Sequence, residues 1–261
     1  LKNLIEASAG FESTLDQLLA TRDFRRNELF RVPAVRDALT RDRYEHLFGS
    51  HIATSHSAAS SQVTIEHNTD VERMFFADLS KRPDLISNVL SSLNSVRQNA
   101  SRMHVLSIGA RTEAELFSMV NAGFALNHIE CIDLFSYSPH IKIGDIHQLA
   151  YPDSRFDVVV CGWVLEFCND VAKACSEIRR VTKPGGIICI GGMHHPSSTN
   201  MRDYNKHKQH EDRAWYCSIP AVKAHFGVED ADFIFKSDIE ADDLDKRGEV
   251  IAIFKKVAGR V

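Results

Sequence analysis

Along the first hundred residues, apolar side chains recur at helical spacing. Phe11, Leu15, Leu18 and Leu19 form one stripe, and Val35, Leu39, Leu47 and Phe48 form a second in a helix opening near Pro33. Val71, Phe75 and Leu79, then Leu85, Val89, Leu90 and Leu93, continue the pattern. Apolar groups three and four residues apart share a helix face, so these stripes point to a core. Residues 49–62 (GSHIATSHSAASSQ) break the pattern with Ser, Ala and His, a loop composition that suits a linker or a lid over a ligand. Residues 1–100 are therefore read as an N-terminal helical cap region and 101–261 as the domain that follows.

From residue 103 the period shortens. HVLSIG, HIECID, HIKIG, FDVVVCGW and GGIICIGG read as strands, with helices opening near Thr112 and Asn169 between them. Such alternation requires right-handed crossovers and a parallel sheet covered on both faces. A helix over 219–226 is followed by ADFIFKS and GEVIAIFKKV, and the turn EADDLDKR between those two strands is too short for anything but an antiparallel pair. The pattern predicts an α/β fold: five parallel strands finished by a hairpin.

Composition narrows the function. With 31 Lys+Arg against 35 Asp+Glu, and no basic arm in the first hundred residues, no nucleic-acid partner is expected. No apolar run is long enough for a membrane span, and the acidic N-terminus lacks the features of a secretion signal, so the expected location is cytoplasmic. The chain opens at Leu1 rather than methionine, which reads as trimmed or cut from a longer polypeptide. The six cysteines, at 131, 161, 168, 175, 189 and 217, include no C-x-x-C pair and read as reduced core thiols, with no metal expected.

In open α/β sheets ligands bind beyond the carboxyl ends of the strands. The first such junction, VLSIGARTEAELF, offers Gly109 for a tight turn, but Arg111 and Glu113 stand where a dinucleotide loop would have further glycines. Thr112 and Glu115 satisfy a capping box, which reads Glu115 as a helix cap. Asp133 ends the second strand, where a carboxylate can accept both ribose hydroxyls of a nucleoside. Asp145 and Ile146 follow the third strand. Together they can read an adenine: the carboxylate accepts from its amine, the backbone N–H donates to a ring nitrogen, and the side chain stacks on the ring.

The run IGDIHQLAYPDSRFDVVV, then WVLEF and EIRRVTKPGGIICIG, resembles the class I S-adenosylmethionine-dependent methyltransferases over residues 103 to about 192. The helix and hairpin at 219–257 resemble the ending such enzymes share. The resemblance implies a Rossmann-like seven-stranded, mostly parallel sheet with an antiparallel C-terminal hairpin. It also implies S-adenosylmethionine as cofactor: Gly109 and Ala110 cradle its methionine end, Asp133 with Leu134 takes the ribose, and Asp145 with Ile146 takes the adenine. Cys161, Gly162 and Trp163 would border the transferable methyl. Two departures change the picture. Ser107 replaces the usual acid and Gly109 stands alone in the loop, so Arg111 is read as the partner of the methionine carboxylate and Glu113 of its ammonium. The amide- and ring-amine motif after the fourth strand is absent.

Transfer to a hydroxyl needs an in-line nucleophile and a base of suitable pKa. His194 and His195, directly after the fifth strand, and Glu166, after the fourth, are the candidate catalytic residues. The expected activity is O-methylation of a small-molecule acceptor, a sugar or other polar metabolite. Two alternatives stand beside it: an NAD-linked oxidoreductase, which would want a better phosphate-binding loop, and a degenerate cofactor-binding scaffold domain of a larger protein.

Overall fold

A computed structural model describes residues 29–47, 53–54, 79–194, 217–239 and 248–257. Phe11 to Leu19, Phe48, Val71, Phe75, most of 49–62 and His195 lie outside these residues.

Helix α1 (Pro33–Leu47) opens at the proline, whose fixed φ and missing N–H suit a first helical turn. Helices α2 (Lys81–Ser92) and α3 (Asn94–Asn99) lead into strand β1 (Val105–Ile108). Helix α4 (Glu113–Asn121) is closed at its start by the expected box: the Thr112 hydroxyl accepts from the Ala114 N–H, and Glu115 accepts from the Thr112 N–H at 3.1 Å. Strands β2 (Ile129–Asp133), β3 (Ile141–Ile143) and β4 (Phe156–Gly162) follow. Helix α5 (Val171–Val181) is capped by Asp170, which accepts from the Lys173 N–H at 2.9 Å. Strand β5 (Thr182–His194), helix α6 (Ile219–Phe226), and strands β6 (Phe233–Ser237) and β7 (Gly248–Lys255) complete the order.

The seven strands form one sheet in the order β3-β2-β1-β4-β5-β7-β6. β1 to β5 pair in parallel, and β7 is antiparallel to both its neighbours. The hairpin is therefore not appended at the edge as a unit. Its second strand enters the sheet beside β5 and pushes its first strand outward.

Alternate residues of each strand serve opposite faces, as the pleat requires. Val159, Cys161, Ile188 and Ile190 pack with Cys175, Ile178, Val222 and Phe226 under α5 and α6. Val158, Val160, Ile187 and Cys189 pack on the other face with Ile86, Leu90 and Val96 from α2 and α3. A third cluster joins Tyr44 and Leu47 of α1 to Leu116 and Phe117 of α4 and to Tyr137 and Ile141. The described part of the N-terminal region thus shares the core of the sheet.

The stripe expected in α1 is corrected. Val35 and Leu39 are only half-buried, while Arg36, Asp37, Thr40, Arg43, Tyr44 and Leu47 face inward. That face is held by polar bonds. Arg36 pairs with Asp84 of α2, Asp37 accepts the Ser80 N–H at 2.9 Å, and Arg43 pairs with Glu113. α1 also covers ground a crossover helix would take. β2 and β3 are parallel neighbours, yet residues 134–140 between them contain no helix, only the two-residue strand Phe135–Ser136, which pairs antiparallel with Ala53–Thr54.

All six cysteines are buried and free, and burial raises the thiol pKa of Cys175 to about 12. Among the described residues, no group of three or more His, Cys, Asp or Glu could hold a metal, and no helix is long and apolar enough to cross a membrane.

Candidate active site

The register brings the carboxyl ends of five strands to one edge. Ile108 lies beside both Ile132 and Cys161, Asp133 beside Ile143, and Gly162 beside Gly191. The N–H groups of Gly109 and Ala110 both donate to the Ile132 carbonyl, at 2.8 and 3.1 Å, so the loop after β1 is tied to the tip of β2. Gly109 has φ +73°, a left-handed conformation that favours glycine. A Cβ there would collide with the Val164 side chain, so the close approach this glycine permits is to the segment after β4.

Asp133 stands at the tip of β2, half-buried, with one carboxylate oxygen accepting the Phe135 N–H at 3.0 Å. Burial drives its pKa up to about 6, against the opposing pull of that hydrogen bond and of the Arg111 charge. Arg111 also draws on Glu115, whose carboxyl burial raises. Its Nε is buried without a hydrogen-bond partner among the described residues. A donor in that condition, next to an acidic strand tip, is suited to an anionic ligand group.

Glu113 departs from the expectation of a free ligand-binding acid. It is fully buried, Arg43 of α1 bonds both its oxygens (Nη2 to Oε1 3.0 Å), and Ser138 donates to it as well. Its place is a latch between the N-terminal helix and the loop after β2.

Asp145 accepts from the backbone N–H and from Nδ1 of His147, at 2.8 and 2.7 Å. Nε2 of the same ring lies 3.3 Å from the Asp170 N–H and accepts from it, which places the ring proton on Nδ1. His147 thereby ties Asp145 to the start of α5. The only sequence signal for it was its place two residues after Asp145, a spacing that allows a local turn bond. Ile146 is buried at 7% exposure, in the core with Ile108, Ile132 and Leu149. Leu134 is half-buried beside Asp133.

At the tip of β4, Cys161 is fully buried and Gly162 half-buried. Trp163 takes φ +56°, a strained conformation for a bulky residue, and its N–H donates to the Gly191 carbonyl at 2.7 Å. Its ring packs toward Ile86 and Gly191, its indole N–H is buried without a partner among the described residues, and the Arg82 guanidinium lies 5.2 Å above the ring. Arg82, at the start of α2, also reaches Glu249 at 3.9 Å. Neither Arg82 nor its stacking on Trp163 was foreseen, because only folding brings α2 to this edge. Glu166 accepts the Met193 N–H, bridging the segment after β4 to the end of β5. His194 ends β5 opposite Gly248.

A methyltransferase domain model matches residues 106–190. A malonyl-[acyl-carrier protein] O-methyltransferase of Serratia marcescens is 41% identical over 54 residues, 21% of this chain and 21% of that one. A demethylmenaquinone methyltransferase of Renibacterium salmoninarum is 24% identical over 153 residues, 52% of this chain and 65% of that one. The matched segment thus spans about a fifth of the Serratia relative. Among solved structures, a SAM-dependent methyltransferase from Thermotoga maritima, described as a possible histamine N-methyltransferase, is 18% identical, with TM-score 0.45 over 76% of this chain and 99% of that one. The matching domain model places a methyltransferase domain at residues 106–190, within the sheet whose strand order and strand-tip acids are described above.

Proposed function

We propose that this protein transfers the methyl group of S-adenosylmethionine to a hydroxyl oxygen of a small polar acceptor. The observation that carries the reading is the pair at the β1 and β2 tips: the buried, partnerless Arg111 Nε beside the half-buried Asp133 carboxylate. Arg111 suits the methionine carboxylate and Asp133 the two ribose hydroxyls. Asp145, oriented by His147, suits the adenine amine, with the Ile146 N–H beside it. Cys161, Gly162 and Trp163 line the approach to the methyl. With Glu113 held by Arg43, nothing here assigns it to the ammonium.

When bound, S-adenosylmethionine would supply an activated methyl on a sulfonium, whose leaving group is a neutral thioether. The chain's part is to align the acceptor and receive its proton. His194 and His195 follow β5, and Glu166 lies between β4 and β5, so these three are the proposed bases. One of them would receive the proton of the acceptor hydroxyl as its oxygen takes the methyl group. The Serratia relative is named an O-methyltransferase, which supports an oxygen acceptor. Arg82 of α2, over Trp163, is the described contribution of the N-terminal region to the rim and supports its proposed role as a cap.

The test is calorimetric titration of the full chain with S-adenosylmethionine and with NAD, followed by an intact-mass screen of hydroxylated metabolites for gain of one methyl. Saturable binding of the first ligand only, lost in Asp133→Ala, is expected. Binding of NAD alone would favour the oxidoreductase, and binding of neither would favour the scaffold.

A further inference from the structure

A cavity of about 440 Å³ opens at the opposite edge of the sheet, where β5 begins and β7 ends. Its floor is apolar: Ile188, Phe226, Val228 and Phe254. Three cations stand on its walls, Arg179, Arg180 and Lys256. Arg180 is fully engaged, bonding Glu177, Asp153 and the carbonyls of Leu149 and Tyr151.

The other two are not neutralised in this way. Arg179 makes no hydrogen bond or ion pair among the described residues, and its Nη1 lies 4.0 Å from where a Cβ on Gly227 would sit. Gly227, at φ +63°, closes α6 and leaves that space open. Lys256 donates to the Thr182 carbonyl at 2.7 Å, and no carboxylate within bonding distance offsets its charge. Burial, with Arg179 adding to it against the pull of Asp153, holds the Lys256 pKa below the ordinary lysine value. Asp153 also lines the cavity, but its carboxylate is bonded by Arg180 at 2.8 Å, so one acid serves three cations; Arg179 and Lys256 still repel each other across the apolar hollow, and an anion between them would relieve both.

We propose that this cavity is a second ligand site, binding a carboxylate or phosphate monoester through Arg179 and Lys256 with a short apolar stem on the floor. Met193, at the edge where methyl transfer is proposed, lies five residue steps along β5 from Ile188, about 17 Å at the rise of a strand. A ligand here therefore lies outside reach of the transferable methyl and serves to anchor or regulate, separately from transfer.

The experiment titrates the full chain by calorimetry with butyl phosphate, hexanoate, inorganic phosphate and hexanol. Expected is saturable binding of butyl phosphate or hexanoate at least tenfold tighter than of inorganic phosphate or hexanol, and the better of the two identifies the head group. Arg179→Gln, a change on a half-buried side chain with no bonds to lose, and Lys256→Gln should each weaken that binding at least tenfold. Thermal unfolding checks that both variants are folded. No saturable binding of either stemmed anion, or binding unchanged in both folded variants, would overturn the site whether or not methyl transfer is found.

Discussion

Asp133 sits in a conflict that can be measured. Its carboxyl is raised to about 6 by burial, so the folded chain holds this proton more tightly than the unfolded chain does. A raised pKa contributes stability below the unfolded value, near pH 4, and that stability is lost as pH rises through about 6. Asp133→Asn should therefore stabilise the ligand-free protein at pH 7.5, by up to about 3 kcal/mol, and change little at pH 4. The same variant should bind S-adenosylmethionine at least tenfold more weakly. Wild-type affinity should climb between pH 5 and 7 as the acceptor carboxylate forms. Urea unfolding at the two pH values, with calorimetry, checks both halves, and a variant less stable at pH 7.5 would remove the conflict. The Arg43–Glu113 pair is the second residue-scale case. Removing one partner leaves a buried charge, so Arg43→Ala should lower stability by about 3–5 kcal/mol, whereas Arg43→Ala with Glu113→Gln should recover a good part. The positions of Asp133 and Glu115 could be read from the sequence because they rest on local features, a strand tip and a helix start. The partner of Glu113 could not be read in this way, because it lies seventy residues away on α1.

At the scale of elements, the strands and α4 to α6 were legible because their apolar periods are strong and their ends carry local signals. The caps Thr112, Asp170 and Ser218 each precede a helix in the expected place. α1 was legible in position, since Pro33 starts it, but not in orientation. Its inward face is charged, and charged faces read as solvated ones unless their partners are known. Its position against α4, Tyr137 and Ile141 makes it part of the core rather than an added layer. Cutting the chain near Ser101 removes α1 to α3 and exposes Leu116, Phe117, Val158 and Val160. The truncated protein should therefore fail to give a cooperative unfolding transition, and should not keep cofactor binding as an independent domain would. Circular dichroism melting of the fragment decides this.

For the whole molecule, the sheet and its parallel half could be read from alternation alone, but the place of β7 could not. The hint was in its side chains: VIAIF is apolar on both faces and belongs in the middle, whereas β6 ends in Lys236 and Ser237 and leaves Phe235 37% exposed, as an edge strand can. The positions of Asp133, Asp145 and Glu166 at the carboxyl ends of their strands were legible in the same way. Arg82, Trp163 and His147 owe their places to contacts between distant segments.

The insertion of β7 beside β5 also bears on how the molecule is made. β5 is complete at His194, but its open side finds a partner only when residues 248–255 have been synthesised. At roughly 5–20 residues per second, that interval lasts on the order of seconds. Throughout it, Ile187, Ile188, Cys189 and Ile190 lie along an unpaired backbone edge, the kind that joins other chains. Nascent chains halted before residue 248 should bind holdase chaperones and pellet on release, while the finished chain stays in the supernatant. Slower elongation after β5 should lower the soluble yield, and the last strand is then the step on which the rest of the sheet waits.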